Sequence, residues 1–182
     1  MTYSKPVLGF AAYSGTGKTT LLKQLIPLLA DRGVRVGVIK HAHHDFDIDK
    51  PGKDSYELRK AGARQMLVAS DRRWALMTEN DSIGDPALDD LVKRLDQDSI
   101  DLVLVEGFKH VPYTRIELHR PALGHPLLYP GDDSIIAVAT DAATDTGDLP
   151  LLDINNAAGV TDFILMWLAR ISHRAARPDL KS

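Results

Sequence analysis

Ala12-Tyr13-Ser14-Gly15-Thr16-Gly17-Lys18-Thr19-Thr20 decides how this chain is read. Before it runs Pro6-Val7-Leu8-Gly9-Phe10-Ala11, an apolar stretch of strand length. After it, Leu21-Leu22-Lys23-Gln24-Leu25-Ile26 repeats leucine at helical spacing. Strand, glycine-rich turn, Gly-Lys-Thr and helix together are the setting in which such a loop holds phosphate. A triphosphate needs several backbone N–H groups converging on it, and side chains would block their approach. Gly15 and Gly17 remove that obstacle and admit positive φ. The helix beginning near Lys18 adds the positive end of its dipole. Lys18 reaches the β- and γ-phosphates as a cation, the Thr19 hydroxyl ligates Mg²⁺, and Thr20 adds a hydroxyl near the α-phosphate. The backbone from Gly15 through Thr16 to Thr20 forms the cradle. The position where the usual pattern opens on glycine is Ala12 here. Alanine tolerates positive φ poorly, so a slightly different start to the loop is expected.

A second segment supplies the other half of a nucleotide site. Ile100-Asp101-Leu102-Val103-Leu104-Val105-Glu106-Gly107 is a hydrophobic strand that ends in a carboxylate. Proteins with this kind of phosphate loop place an acid there to hold Mg²⁺, directly or through water. Glu106, at the carboxyl end, is better placed than Asp101 for the metal, or for positioning a water. Gly107 lets its N–H approach the γ-phosphate.

The 182 residues suit one domain with helices on both faces of a sheet. A hydrophobic content of 44% and a charged content of 26% are those of an ordinary globular chain. The formal charge of −3 gives no general drive toward nucleic acid. No cysteine is present, which excludes disulfides and thiolate metal sites. With no apolar run of membrane-spanning length and no signal-peptide pattern at the start, neither membrane nor nucleic acid is expected as a partner. The cytoplasm is the expected location.

Taken in order, the pattern predicts a first helix over 18–32 closed by Gly33, with a kink or early break at Pro27. A second strand over 34–40 should pair in parallel through a right-handed crossover. A short helix over 55–62 takes Ser55 as its N-cap. Segments 64–69 and 74–78 are strands joined by Asp71-Arg72-Arg73, a hairpin that would make the sheet mixed. A helix spans 87–95. Ile116-Glu117-Leu118 reads as an outer strand, 134–139 as a central one, and 151–153 as a last short one. Pro121 to Asp133 reads as a loop. Asn155 or Asn156 caps a final helix over 157–171, and 172–182 is a frayed tail. The expected architecture is therefore a three-layer α/β P-loop NTPase fold, its sheet mainly parallel or mixed, in a single domain over 1–171.

The stretch from His41 to Ser55 lies just past a strand's carboxyl end, where ligands bind in open parallel sheets. His41, His43 and His44 with Asp45, Asp47 and Asp49 admit three readings. One is a switch-like loop whose acids, Asp45 and Asp49, complete the Mg²⁺ shell and whose cations touch substrate. Another is a dedicated Zn²⁺ or Ni²⁺ site. The third is a solvated polar loop.

Assembled, these segments resemble the MobB family, accessory proteins of molybdopterin-guanine dinucleotide biosynthesis. The resemblance rests on Ser14 to Thr20, Ile39-Lys40-His41 through Asp45, and Asp49-Lys50-Pro51-Gly52-Lys53-Asp54-Ser55-Tyr56. Leu104 to His110 and Leu151-Leu152-Asp153-Ile154-Asn155 extend it over nearly the whole chain. It implies a GTP-binding P-loop protein, a homodimer with at most weak GTPase activity. The implied partner is the guanylyltransferase MobA, which attaches GMP to molybdopterin. Lys53, Lys109 and His110, with His41, become candidates to meet the phosphate of a molybdopterin-type ligand. Guanine requires a carboxylate for N1–H and N2–H₂. Asp141, after the strand 137–139, is the candidate, with a turn or cap role as the equal alternative. The rivals are a small-molecule kinase or ATP-dependent ligase, for which only Arg72-Arg73 resembles a lid, and a metal-delivery GTPase using the loop His41 to Asp49.

Overall fold

Residues 3–42, 46–80 and 84–175 are described by the structure, a computed structural model. The chain runs β1 (Val7–Ala12), α1 (Lys18–Asp31), β2 (Val36–Lys40), α2 (Asp54–Lys60), β3 (Gln65–Ala69), β4 (Trp74–Thr78), α3 (Leu88–Arg94) and β5 (Leu102–Glu106). It continues through β6 (Arg115–His119), β7 (Ile135–Thr140), β8 (Leu151–Asp153) and α4 (Ala157–Ala175), with two 3-10 turns at Pro121–Leu123 and Tyr129–Gly131. Where the sequence reads as one domain, the fold divides into two compact units: Met1–His41 with Ala87–Ser182, and Ala42–Pro86.

The first unit is a six-stranded sheet in the order β2-β5-β1-β6-β7-β8. Every pairing in it is parallel. The α/β expectation is met, and the mixed alternative is not: the β3/β4 hairpin is antiparallel and forms a separate two-stranded sheet in the second unit. Successive strand residues point to opposite faces, and each face has its own helices. Leu8, Phe10, Leu102, Leu104, Ile116 and Leu118 pack with Leu21, Leu25 and Leu29 of α1 and Val160 and Ile164 of α4. Val7, Val103 and Val105 meet Leu88 and Val92 of α3 on the other face. Helix, sheet and helix give the three expected layers.

Five local expectations change. β2 pairs with β5 rather than β1, so the strand that ends in Glu106 lies directly beside the strand that feeds the phosphate loop. The helix α1 is not broken at Pro27. Pro27 and Lys23 both lie on its exposed side, where water can serve the carbonyl that Pro27 leaves without a donor, while four buried residues hold the opposite side. Ser55 lies inside α2, whose N-cap position is Lys53. β6 is central rather than outer, between β1 and β7 and buried at all five positions. Two of its polar residues are partnered instead of solvated: Arg115 pairs with Asp132, and Glu117 accepts N–H bonds from Leu128 and Tyr129. Finally, α4 continues through Ala175, past the expected boundary at 171. Asn156 caps it, its Oδ1 accepting the Gly159 N–H at 3.0 Å. Among the described residues no helix is long and apolar enough to cross a membrane.

Candidate functional site

The loop between β1 and α1 is built from its backbone. Gly15 and Gly17 have φ of 82° and 96°. A methyl group at Gly15 would meet nothing within 4 Å, so conformation and not crowding calls for glycine there. Thr16 is buried and closes the turn, its N–H and hydroxyl both donating to the Tyr13 carbonyl at 3.4 and 2.8 Å. Gly17 is the N-cap of α1, with no side-chain cap and no acid in the first turn. The first N–H groups of the helix therefore lack partners inside it and face outward as donors. The hydroxyl-bearing Thr19 and Thr20 are exposed at the same end. Ala12 ends β1 in extended backbone, and Phe108 is the one non-glycine with positive φ among the described residues. The substitution of Ala for Gly at the loop's start thus needs no altered geometry.

Pairing of β1 with β5 brings the acid to the lysine. Lys18 Nζ lies 3.2 Å from Glu106 Oε1, and Lys40 Nζ lies 4.0 Å from Glu106 Oε2. The His41 N–H donates to the Glu106 carbonyl at 2.8 Å. Beyond Glu106 the chain turns sharply. Gly107 has φ of 102° and Phe108 of 52°. The Tyr113 hydroxyl donates to the Gly107 carbonyl at 2.6 Å, and burial pushes the Tyr113 phenol up, keeping it protonated. Arg115 Nη2 donates to the carbonyls of Phe108, Lys109 and Val111, while Nη1 bonds Asp132 Oδ2 at 2.8 Å. Burial pushes the Asp132 carboxyl up, but hydrogen bonds from Ser134 and the Arg115 charge outweigh it and hold the group below its usual range. The segment 107–111 is thereby clamped from within, with Lys109 and His110 exposed on it. The His41 and Phe108 rings lie 4.7 Å apart, so His41 is part of this same corner.

The carboxyl ends of β7 and β8 border a cavity of about 390 Å³ lined by Thr140, Asp141, Ala142, Leu152, Asp153 and Asn155. Asp141 is therefore on the same sheet edge as the phosphate loop, and it is ion-paired with Arg120. Arg120 also donates to the Thr16 carbonyl and to Asn155, both at 3.0 Å. Neither Arg120 nor Asn155 was singled out from the sequence as a site residue. The only local signal is that Arg120 immediately follows β6 and Asn155 lies two residues past β8, both strands ending at the ligand-binding edge.

In the second unit Asp49 Oδ1 lies 2.7 Å from Arg59, which also bonds Asp47 and Glu79. The Asp49 side chain is 7% exposed, and its hydrogen bond from Arg59 lowers its pKa. Asp49 Oδ1 is thus held by Arg59, while Oδ2 is buried without a hydrogen bond among the described residues. Lys53 is exposed in this unit. His43, His44 and Asp45 lie outside the described residues. Among those described, no group of three or more His, Cys, Asp or Glu could hold a metal ion.

Comparison with known proteins identifies the family. Residues 7–141 match the family MobB, molybdopterin guanine dinucleotide synthesis protein B. The chain is 55% identical over 166 residues to the molybdopterin-guanine dinucleotide biosynthesis adapter protein of Escherichia coli (strain K12), covering 91% of this chain and 94% of that one. To the adapter protein of the same name from Haemophilus influenzae (strain ATCC 51907 / DSM 11121 / KW20 / Rd) it is 48% identical over 163 residues, or 90% and 89% of the two chains. A crystal structure of molybdopterin-guanine biosynthesis protein B matches with a TM-score of 0.68 at 27% identity, over 88% of this chain and 99% of that one. The structure of Bacillus subtilis MobB, at 21% identity and a TM-score of 0.68 over 88% and 96%, shares the fold. The chain belongs to the MobB family.

Proposed function

We propose that this chain is an adapter in molybdopterin-guanine dinucleotide biosynthesis that binds Mg²⁺–GTP and presents it to the guanylyltransferase MobA. The observation that carries the nucleotide part is the Lys18–Glu106 pair beside an uncapped helix N-terminus. The donor set fits the group. The first-turn N–H groups and Lys18 suit phosphate oxygens, and the Thr19 hydroxyl and Glu106 carboxylate are the hard oxygen ligands Mg²⁺ prefers. Bound there, Mg²⁺ would neutralise phosphate charge. Lys18 would exchange its bond to Glu106 for the phosphates, leaving Glu106 to the metal or its water. Lys109 and His110, held out on a clamped turn at the same edge, are proposed to touch the phosphate of a pterin ligand, with His41. The adapter role itself rests on the high identity to proteins of that name. We propose further that the protein is a cytoplasmic homodimer joined through the β3/β4 hairpin, one face of which is apolar and exposed.

The test is calorimetry of GTP and ATP with Mg²⁺, beside Lys18→Ala. A preference for GTP of roughly tenfold, about 1.4 kcal/mol, that disappears with the lysine supports the reading, and capture of MobA would complete it. Equal or tighter ATP binding removes the guanine assignment and favours a kinase or ligase.

A further inference from the structure

The Arg120 guanidinium serves three groups from separate parts of the chain. Nε donates to the Thr16 carbonyl of the phosphate loop at 3.0 Å, Nη1 to Asp141 Oδ2 at 2.5 Å, and Nη2 to Asn155 Oδ1 at 3.0 Å. Asp141 follows β7 and Asn155 follows β8, and both line the cavity beside the loop. We propose that Arg120 sets the base specificity of this site, by holding Asp141 as an acceptor and Asn155 as a donor side by side for a guanine. The inference deepens the nucleotide reading above and rests on it.

The argument begins with what arginine can offer. A guanidinium has five N–H donors and no acceptor. An asparagine facing it must present its oxygen, so the Asn155 Nδ2 group is turned away as a donor. A carboxylate facing it remains an acceptor, and Asp141 Oδ1 is left over. Among the described residues neither Asn155 Nδ2 nor Asp141 Oδ1 has a hydrogen-bond partner. The site therefore shows an acceptor next to a donor, spaced by one planar fork. Guanine matches that order: N1–H and N2–H₂ donate, and O6 accepts. Adenine reverses it, putting the N1 lone pair against the carboxylate and N6–H₂ against the amide N–H. A polar group covered by the base and left facing its own kind is what rejects the wrong base.

The backbone at these strand ends does not depend on Arg120. The Ile154 N–H donates to the Thr140 carbonyl at 3.0 Å, tying the end of β8 to β7, and the Asn155 N–H donates to Asp153 Oδ1 at 2.8 Å. Arg120 thus orients side chains on a fixed frame. It is a positioning residue. Lysine cannot replace it, because a single ammonium lacks the planar fork that reaches three acceptors at once.

The experiment measures Kd for GTP, ATP and XTP by calorimetry on the full chain with Mg²⁺, for the wild type, Arg120→Ala, Arg120→Lys, Asn155→Ala and Asp141→Asn. The wild type should prefer GTP to both competitors. Asp141→Asn should move the preference to XTP, since xanthine carries a carbonyl where guanine carries N2–H₂ and an amide can donate to it. Arg120→Ala and Arg120→Lys should each lower the GTP-to-ATP ratio by on the order of tenfold, mainly by weakening GTP. Asn155→Ala, at an exposed position, should do the same and keeps the test intact should Arg120→Ala fail to fold. Loss of GTP and ATP affinity by one common factor in the arginine variants would overturn the proposal, reducing Arg120 to a brace under Thr16. Equal GTP and ATP affinity in the wild type, still abolished by Lys18→Ala, overturns it while the phosphate-loop reading stands. A wild type that binds no triphosphate overturns both.

Discussion

At Gly107 the chain has no room for a side chain. Its φ of 102° is left-handed, and a Cβ built there would lie 2.6 Å from the Cβ of His41. His41 cannot yield, because its own N–H is bonded to the Glu106 carbonyl. Gly107→Ala should therefore cost about 1–3 kcal/mol from the backbone conformation alone, and more from the clash. A urea titration should show the lower midpoint; one unchanged from the wild type would mean that the turn after β5 is not the rigid corner described. The same scale shows what could be read from sequence. Gly15, Gly17, Lys18 and Glu106 were legible because phosphate chemistry dictates residue types at short, fixed spacings. Arg120 was not. Its partners are 21, 35 and 104 residues away, and only the strand order brings them together. The Arg59 partner of Asp49, 10 residues away, was missed for the same reason: a carboxylate in an acidic loop gives no local sign of it.

Among the elements, β2 and β5 are joined at their starts by a charged clip. Arg35 donates through its backbone N–H, Nε and Nη2 to the Asp101 carboxylate, and through Nη1 to the Asp98 carbonyl. These bonds, the Arg35 side chain's first, hold the Asp101 carboxyl well below the usual carboxylate range. A carboxyl depressed in the folded state stabilises above its unfolded pKa, near 3.9, and loses that contribution as pH falls through the folded value. The stability difference between wild type and Asp101→Asn should thus stay flat from about pH 8 to 5 and close below about pH 4. Denaturation midpoints across pH would show it, and a gap that widens in acid would refute the clip. The element scale is also where periodicity misled. Arg115, Glu117 and His119 alternate along β6 as they would on a solvated edge, yet β6 is central. Strand pattern reports which face is polar, and it cannot report that Asp132 and two backbone N–H groups are waiting there as partners.

For the molecule as a whole, the second unit poses the question the first does not. A two-stranded sheet is marginal in water unless something covers a face of it. In β3 and β4, Leu67 stands opposite Leu76 and Ala69 opposite Trp74, and the two-residue period puts all four on one face. Leu67 is 56% exposed, Trp74 67% and Leu76 46%. Contiguous apolar exposure of this kind on a hairpin marks an interaction surface. A second copy of the same hairpin supplies a matching surface, since a two-fold interface brings one patch against itself. Trp74→Lys combined with Leu76→Lys places four like charges across such an interface and should convert the proposed dimer to a monomer. Light scattering should read a fall from twice the chain mass to once, with GTP affinity retained, because Lys18, Glu106 and Arg120 all belong to the other unit. A mass unchanged by the double substitution would move the interface elsewhere, and a monomeric wild type would end the homodimer reading altogether.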